Sequence, residues 1–554
     1  MLLPDMNAVF RGKRIQREKL ISIYKKGFYF PASVFAMDVT GETMEETGLG
    51  FKSGDQDIPC YPIPETLKVV PWRKERGQLL LRMLEPDGSP FFGNPREVLH
   101  SVCKKLYEFG WRAIVAVEIE FYLVDPKRRP GQPPRPVFSR LTGQREAEGQ
   151  LYSLSSLDTH ELFLKDISEA TILQNIPADT ALAELAPGQF EVNLHHVPDA
   201  VLACDHAVLL KRIIRSAAQN HQVEATFMPK PYPDQPGNGM HIHLSLLDKE
   251  GQNVFQGSDA SGSPELRHAV EGIRSVMAES MLICAPHANS YHRFQSGSYA
   301  PVNMSWGYNN RTVSIRIPAN NGPDMRIEHR LAGADANPYL LVSALLAGLQ
   351  YGLISKTEPP APVKGNAYLQ PDTELPLTWE QAKNHFDREP YRDIEDHGWT
   401  HNNAVERLEN GNTLLSPRNF GLVVEVNPSG SVVRTMGEGL LHNAHDPEVL
   451  PNGNILVANH VKPHSVIEFD PDTGEVVWQF RPTYKGKGLF VIPLRDADQL
   501  PNGNDLNKGY RTIYELTSEG EVVWQLVLKD KETALKGWHN FGFYKAQRIT
   551  ANKN

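Results

Sequence analysis

The stretch AIVAVEIEFYLVD, residues 113–125, constrains the fold most, because it predicts a long strand with one apolar and one acidic face. Strand side chains point alternately to two faces, so every second residue from Val115 to Leu123 lies on an apolar face. Glu118 and Glu120 share the opposite face, two residues apart. Two adjacent carboxylates repel each other, and we therefore expect a cation near them.

Further acidic and imidazole side chains recur along the chain in short polar motifs. Glu184 and Glu191 flank a Pro-Gly turn in AELAPGQFEV, and His241 and His243 share one face of a predicted strand in GNGMHIHLSL. Glu328 stands between two arginines in RIEHR. Each motif alone fits an ordinary explanation: solvated loop acids, satisfied structural histidines or an exposed salt-bridge ladder. Together, five carboxylates and one imidazole suit two hard divalent cations, Mg²⁺ or Mn²⁺.

Several arginines accompany these acids, and their planar forks suit two-point contacts with phosphates and carboxylates. They are Arg293, Arg311, Arg316, Arg326 and Arg330. Metals combined with arginines indicate phosphoryl transfer from a nucleotide. The sequence has neither a GxxxxGK[ST] loop nor the protein-kinase motifs, so we expect a different phosphate-binding architecture.

Charge and cysteine usage narrow the class of protein further. The 554 residues carry a formal net charge of -9 with no extended basic stripe, which argues against a nucleic-acid partner. The four cysteines lack a paired metal-finger spacing and suit a reducing compartment. The first residues are too short and polar for a signal peptide, and no apolar run approaches a membrane span. These features predict a soluble cytoplasmic protein with no membrane partner.

The pattern of predicted strands, helices and repeats changes twice along the chain, which predicts three parts. Residues 1–93 mix short β-rich runs with Gly and Pro turns, and residues 94–393 alternate strands with longer helices, as an α+β domain does. Residues 394–554 contain the repeats RLENGNTLL, VLPNGNILV and QLPNGNDLN, each followed by a second strand-like unit. Asn-Gly hairpins at a period near 45 residues predict about three blades of a partial β-propeller. In the third repeat, most of one strand is expected to be lost.

The blocks VEIEF, ELAPGQFEVNL, GNGMHIH, NRTVSIRIP and RIEHRLAGADANPY resemble the glutamine synthetase family in order and spacing, over about residues 1–390. The resemblance implies an N-terminal β-grasp domain and a catalytic domain built on a curved antiparallel sheet with helices. It also implies a homo-oligomer with active sites between neighbouring subunits. The function implied is an ATP-dependent ligase with two metal ions per active site, in which ATP phosphorylates glutamate and an amine attacks the γ-glutamyl phosphate.

The same resemblance assigns roles to individual residues. One metal ion would be held by Glu120, Glu184 and Glu191, and the other by Glu118, His241 and Glu328. Glutamate would be held by Gly237, Arg293 and Arg311, while Arg330 would contact the transferred phosphoryl group. ATP would be bound by Tyr152, His243, Ser245, Arg316 and Arg326.

The amine acceptor is predicted from two positions. Tyr299 stands before APV, where ammonia-using synthetases carry a glutamate, and a tyrosine cannot attract ammonium as a carboxylate does. Tyr299 and the blocks LLPDMNAVFRGKR and AMDVTGETMEETGLGF resemble the γ-glutamylpolyamine synthetase branch. Asp38 matches the acid that a neighbouring subunit contributes to the amine site. An alkyl amine or polyamine is therefore expected in preference to ammonia.

The C-terminal repeats resemble arylsulfotransferase-type propellers, in which histidines face a central channel. His401, Arg418 and His445 fall in the matching blocks, and no catalytic role is assigned to them. Three alternatives stay open: a glutamine synthetase proper that uses ammonia, a non-catalytic metabolite-sensing or scaffold fusion protein, and a sulfotransferase whose activity resides in the repeats.

Overall fold

The computed structural model describes most of the chain. Its first part is 1–386, with gaps at 74, 128–131, 140–141, 147–148, 319–321 and 371–374. Its second part is 402–527, with gaps at 409, 418–420, 429–430, 442–443, 460–464, 481–493, 500–504, 510–511 and 518–520. The chain divides into two compact units, Met1–His385 and Phe386–Asn554.

The N-terminal part of the first unit consists of short strands around a small apolar core. Its elements are β1 (Leu2–Pro4), β2 (Phe10–Gly12), α1 (Leu20–Lys26), β3 (Phe28–Pro31), β4 (Asp57–Pro62), β5 (Lys68–Val69), β6 (Gly77–Gln78) and β7 (Leu81–Met83). The strands pair as β1-β2, β3-β4-β7 and β5-β6. Phe30, Phe35 and Met83 are buried in the core between them.

The rest of the first unit is built on one eight-stranded sheet. Its strands are β8 (Arg112–Val124), β9 (Ala178–Ala183), β10 (Gln189–Leu194), β11 (Glu224–Thr226), β12 (Met240–Leu247), β13 (Trp306–Tyr308), β14 (Ile315–Ile317) and β15 (Ile327–His329). The order is β13-β14-β15-β12-β8-β10-β9, and β11 pairs with the end of β8. The expectation of a purely antiparallel sheet is wrong at one edge, because β13 and β14 run parallel. β8 occupies the centre, between β10 and β12.

Helices cover the sheet and begin where the sequence supplies caps. They are α2 (Pro95–Glu108), α3 (Leu154–Thr159), α4 (Glu161–Gln174), α5 (Ala200–Asn220), α6 (Pro264–Ser275), α7 (Met281–Cys284), α8 (Ala288–Tyr291), α9 (Pro338–Ser355) and α10 (Trp379–Phe386). The side chains of Asn94, Asp199 and Asn337 accept hydrogen bonds from backbone N–H groups in the first turns of α2, α5 and α9. These caps satisfy donors that a helix cannot satisfy internally.

Helix α9 is long and apolar enough to cross a membrane by length and composition alone. The expectation that no apolar run reaches that length is therefore wrong. However, 61% of this helix is buried inside the protein, where it packs against α2, α5 and α6. A Cβ at Gly352 would lie 2.0 Å from the carbonyl oxygen of His268, so only glycine permits the observed approach of α9 to α6. Helix α9 is a core helix of this unit.

Within its described residues, the second unit contains three four-stranded antiparallel sheets. Their strands are β16 (Asn402–Arg407), β17 (Thr413–Pro417), β18 (Val423–Val426), β19 (Val432–Met436), β20 (His445–Val449), β21 (Ile455–Asn459), β22 (Ser465–Phe469), β23 (Val476–Phe480), β24 (Leu494–Gln499), β25 (Asp505–Gly509), β26 (Thr512–Leu516) and β27 (Val522–Val527). Each sheet pairs four consecutive strands in sequence order. The expectation that the third repeat has lost most of a strand is wrong, because β24–β27 form a full set of four.

The repeated Asn-Gly-Asn motif stabilises the first two of these sheets in the same way. The side-chain amide of Asn412 donates to Glu425 on the third strand at 2.7 Å, and that of Asn454 donates to Glu468 at 2.6 Å. Each hairpin is thereby tied to the next strand. A pattern visible in the sequence thus corresponds to a repeated hydrogen bond.

Candidate active site

Strand β8 carries the two glutamates on one face, as the alternation predicts. Val117 and Ile119 are fully buried on the other face, while Glu118 and Glu120 are partly exposed. The neighbouring strands bring partners to both glutamates, because directly opposed residues of antiparallel strands share a face. Glu191 on β10 lies opposite Glu120, and His241 on β12 lies opposite Glu118.

Glu118 is held as an anion by two imidazoles. Its carboxylate oxygens lie 2.8 Å from His243 Nε2 and 3.3 Å from His241 Nδ1. Burial would raise the pKa of Glu118, but the hydrogen bonds and charges of both histidines outweigh burial and hold its pKa far below the ordinary range. The acidic face of β8 is therefore partly neutralised by β12.

Glu120 is fixed by the backbone. Its Oε2 accepts a hydrogen bond of 2.7 Å from the N–H of Gly239. A Cβ at Gly239 would lie only 3.0 Å from His241 Nε2 and 3.2 Å from a guanidinium nitrogen of Arg293. The glycine lets the backbone approach the site closely enough to make this bond.

Glu184 and Glu191 have raised pKa values, in contrast to Glu118. Glu184 lies just after β9 and Glu191 within β10, on either side of the predicted turn. Burial, followed by repulsion from the β8 glutamates, raises the pKa of Glu191 to about 9 and that of Glu184 to about 7. In the protein without metal, these side chains retain protons that most glutamates lose near pH 4.5.

Glu328 on β15 is almost fully buried between two arginines. Arg316 on β14 contacts Oε2 at 2.6 Å, and Arg330 makes a hydrogen bond to Oε1. Burial opposes ionisation, but the charge of Arg330, with those of the nearby histidines and Arg316, lowers the pKa of Glu328 to about 2. Arg326 instead donates its Nε–H to His243 Nδ1 at 3.1 Å.

Two sets of side chains place ligand atoms within 4.8 Å of one another. One set is Glu118, His241 and Glu328, and the other is Glu120, Glu191 and His241. The first set matches the predicted second metal site, whereas the other includes His241 in place of Glu184. Carboxylates with an imidazole fit a hard divalent cation, and the two raised pKa values show that an additional positive charge suits this pocket.

Unsatisfied arginine nitrogens face the same region. The Nε atoms of Arg293, Arg316 and Arg330 are buried and have no hydrogen-bond partner within the described residues. Arg293 is 4% exposed and donates to the carbonyl oxygen of Leu331 at 2.9 Å. Buried donors without partners are costly, so these arginines are suited to an anionic ligand.

Gly237 packs directly against Arg293, as a Cβ there would lie 2.5 Å from Arg293 Cγ. Arg311 is exposed, and its charge offsets part of the rise in the pKa of Glu184. Gly237 is connected to the carboxylate cluster through Arg293, whose guanidinium interacts with the charge of Glu120.

Two of the remaining predicted residues, Ser245 and Tyr152, lie on or beside strands that carry the cluster. Ser245 follows His243 by two residues on β12 and shares its strand face. Tyr152 is half exposed, adopts a left-handed φ of 60° and donates its N–H to the carbonyl oxygen of Ala183 at the end of β9. Tyr299 is 60% exposed, also with a left-handed φ of 59°.

Asp38 lies in a turn of the N-terminal part. Its Oδ1 accepts hydrogen bonds from the Thr40 hydroxyl and from the N–H groups of Thr40, Gly41 and Glu42. The Thr40 hydroxyl bond, with the backbone bonds, lowers the pKa of Asp38. Within the described residues, these side-chain bonds stay inside the turn and do not reach the carboxylate cluster of the same chain.

The sequence interpretation missed three residues that hold the Gly237 loop. The hydroxyl of the fully buried Tyr122 donates to the carbonyl oxygen of Pro236 at 2.7 Å. Gln189 Nε2 donates to the Gly237 carbonyl oxygen at 3.1 Å, and Asn238 is buried beside it. Strand alternation could have found the first two, since Tyr122 continues the Glu120 face and Gln189 the Glu191 face.

Of the residues singled out in the repeats, His445 is buried at the start of β20. His401 and Arg418 lie outside the described residues. The predicted channel histidines therefore gain no support as a catalytic group.

A mixed sheet that carries clustered carboxylates beside buried arginines defines an enzyme that handles metal ions and phosphate. Residues 92–393 match the family model described as glutamine synthetase, catalytic domain. The chain therefore belongs to the glutamine synthetase family, and its predicted assignment to this family and to the ligases is confirmed. Enzymes of this family use ATP and divalent metal ions.

The chain is 43% identical over 387 residues to gamma-glutamylputrescine synthetase PuuA of Escherichia coli (strain K12), covering 70% of this chain and 82% of that one. It is 32% identical over 379 residues to glutamate–isopropylamine ligase of Pseudomonas sp, covering 67% and 82%. A solved structure of a GmaS/ADP complex superposes with a TM-score of 0.60 at 26% identity, covering 71% of this chain and 88% of that one.

Proposed function

We propose that this chain is an ATP-dependent ligase that joins the γ-carboxylate of glutamate to an alkyl amine or polyamine in preference to ammonia. The observation that carries the proposal is the clustering of four carboxylates and His241 on one sheet face, with Glu184 near them, beside buried arginines with free donors. Two relatives named for amine ligation support the choice of acceptor.

The proposed metal ions are two Mg²⁺ or Mn²⁺ per site. Glu120, Glu184 and Glu191 would hold one, and Glu118, His241 and Glu328 the other. The position of His241, with Nδ1 3.3 Å from Glu118 and Nε2 4.0 Å from Glu120, also allows it to contact the first ion. When bound, such cations neutralise charge on the phosphoryl oxygens.

The arginines would bind and orient the substrates. We propose that Arg293 and Arg311, with the backbone at Gly237, hold glutamate, and that Arg330 contacts the phosphoryl group during transfer. The free Nε of the buried Arg293 and Arg330 supports these roles. Arg316, Arg326, His243, Ser245 and Tyr152 would hold ATP; the exposed ring of Tyr152 can pack against a nucleotide base.

In the first step ATP phosphorylates the γ-carboxylate, giving γ-glutamyl phosphate and ADP. In the second step a neutral amine attacks the carbonyl carbon, forming the amide and releasing phosphate. Preorganised donors aimed at developing charge usually supply the largest catalytic effect, and here these are the arginine forks.

Asp38 and Tyr299 would determine the amine. Asp38 of a neighbouring subunit would attract the cationic amine, because its lowered pKa keeps the carboxylate ionised. The same lowered pKa makes Asp38 a weak proton acceptor. Tyr299 exposes an aromatic ring that can cover the methylene groups of an organic amine, each worth about 0.8 kcal/mol when buried.

We further infer the architecture that the family resemblance implies. Residues 1–93 would form a β-grasp domain, residues 94–393 the catalytic domain, and residues 394–554 three blades of a partial propeller. The chain would be a cytoplasmic homo-oligomer with active sites between subunits. The burial of α9 and four free cysteines support a soluble protein in a reducing compartment.

The test is glutamate-dependent ADP release across putrescine, spermidine, ethanolamine, isopropylamine and ammonium. We expect at least one organic amine to give a higher kcat/KM than ammonium, and no turnover in EDTA. A higher kcat/KM for ammonium than for every organic amine would make the chain a glutamine synthetase proper. No ADP release with any acceptor would support a non-catalytic protein.

A further inference from the structure

A second cavity, separate from the carboxylate cluster, lies between the N-terminal strands and helix α5. Its volume is about 950 Å³, within the range of ordinary small-molecule sites. Six arginines and one lysine line it, against a single carboxylate, Glu75. The arginines are Arg14, Arg17, Arg73, Arg76, Arg212 and Arg215.

Several other arginines of the catalytic unit have carboxylate partners. Arg96, Arg274 and Arg316 each bond to a carboxylate. Within the part of the chain that the structure describes, no carboxylate lies within 4.0 Å of any of the six cavity arginines. The cavity therefore carries an excess of positive charge, since only Glu75 in the lining and the charge of Glu224 near Arg215 oppose the six arginines among the described residues.

Arg212 is the fixed member of this set, whereas the other five arginines are exposed. Its Nε donates to Gln78 Oε1 at 2.9 Å, and Gln78, which is 3% exposed, is itself fixed by Gln174 at 3.0 Å. The guanidinium also lies 5.6 Å from the ring centroid of Trp72. Burial and the neighbouring charge of Arg14 lower the pKa of Arg212, as expected for a cation without an acid beside it.

We propose that this cavity binds a small polyanion that carries two or more phosphate groups. Arginine forks bind phosphate in two-point contacts, and each phosphate group brings up to two negative charges and three acceptor oxygens. A small number of phosphate groups would therefore be enough to neutralise six arginines in a cavity of this size. The catalytic nucleotide is assigned to other residues, so this would be a distinct site.

The site would connect two parts of the fold. Arg14, Arg17, Arg73 and Arg76 belong to the N-terminal part, while Arg212 and Arg215 lie on α5, which packs against the strand that carries Glu118 and Glu120. A ligand that bridges both would hold the N-terminal part against α5. It would stabilise the folded protein because it binds only that state.

The experiment is calorimetric titration of the full chain with inorganic tripolyphosphate in EDTA at fixed ionic strength, with citrate as a tricarboxylate comparison. We expect saturable binding of one tripolyphosphate per chain and weaker binding of citrate. Arg212→Gln should weaken tripolyphosphate binding about tenfold or more. Arg112→Gln, an exposed arginine outside the cavity, removes the same charge and should have little effect.

Arg326→Gln separates this site from the nucleotide site, and we expect it to leave tripolyphosphate binding unchanged. Should Arg212→Gln fail to fold, Arg14→Gln on the exposed N-terminal loop replaces it, with the same expected loss. The proposal is overturned by absent saturation, by equal weakening in Arg112→Gln, or by loss of binding in Arg326→Gln. Tighter binding of citrate than of tripolyphosphate overturns the assignment to phosphate.

Discussion

Metal binding to this protein should release about one proton per chain near pH 7.5. Burial, with repulsion from neighbouring glutamates, raises the pKa of Glu191 to about 9 and that of Glu184 to about 7. At this pH, Glu191 is almost fully protonated and Glu184 about one-quarter protonated, so together they carry about one proton. A carboxyl group must lose its proton to become a ligand.

The sign of the pH dependence follows from the raised pKa values. Protons compete with metal ions below these values, so apparent metal affinity should rise as pH increases from about 6 and level off above about 9. The folded state without metal should lose stability from about pH 4.5, the ordinary pKa of a glutamate, up to about pH 9. The reason is that the unfolded chain ionises such a carboxyl at a lower pH than the folded chain does. Rising pH therefore favours the unfolded state until the folded carboxyl has also ionised.

Isothermal titration calorimetry with MnCl₂ or MgCl₂ checks this prediction. In buffers of different ionisation enthalpy, the slope of the observed enthalpy gives the number of protons released. Glu191→Gln should reduce that number to a small fraction of a proton, whereas the exposed control Glu358→Gln should not change it. A zero slope for the wild-type chain, or net proton uptake, would refute the reasoning.

Three further predictions concern stability, modularity and specificity. Glu328→Gln should destabilise the protein by about 3–5 kcal/mol, because it leaves two buried arginines without their carboxylate; thermal melting checks it, and a shift as small as that of Glu358→Gln contradicts it. A chain that ends at His385 should bind Mg-ATP as tightly as the full chain by calorimetry, since all proposed ligands precede that point; a folded fragment that cannot bind ATP assigns the repeats to the active unit. Tyr299→Glu should raise kcat/KM for ammonium relative to alkyl amines, and Asp38→Ala should lower it for every amine; an unchanged amine-to-ammonium ratio in Tyr299→Glu rules out this role.

Local patterns predicted those parts of the site that depend on strand alternation. The two-residue period placed Glu118 with Glu120 and His241 with His243, and the structure keeps each pair on one face. The same period placed Arg326, Glu328 and Arg330 on one face, although β15 itself covers only Ile327–His329 and the two arginines flank it. Alternation is a property of the backbone alone, so it can be determined without knowledge of neighbouring strands.

Pairing between distant strands could not be obtained in this way. Glu191 lies opposite Glu120 only because β10 pairs with β8 in one register, and a shift by one residue would turn it to the other face. The salt bridge of Glu328 to Arg316 likewise depends on β14 lying beside β15. No local signal in the sequence sets these registers, so the family resemblance supplied the expected set of ligands.

The repulsion expected between Glu118 and Glu120 is resolved in the protein even without a bound cation. The two histidines of β12 hold Glu118 ionised, while the proton retained by Glu191 removes the negative charge that would face Glu120. Metal binding would then exchange about one proton for divalent cations, so the site would gain net positive charge against its carboxylates. If Nδ1 of His241 becomes a ligand, it gives up its hydrogen bond to Glu118, whereas Nε2, 4.0 Å from Glu120, can bind a cation while that bond is kept. Because His241 belongs to both clusters, occupation of one metal position should alter the affinity of the other.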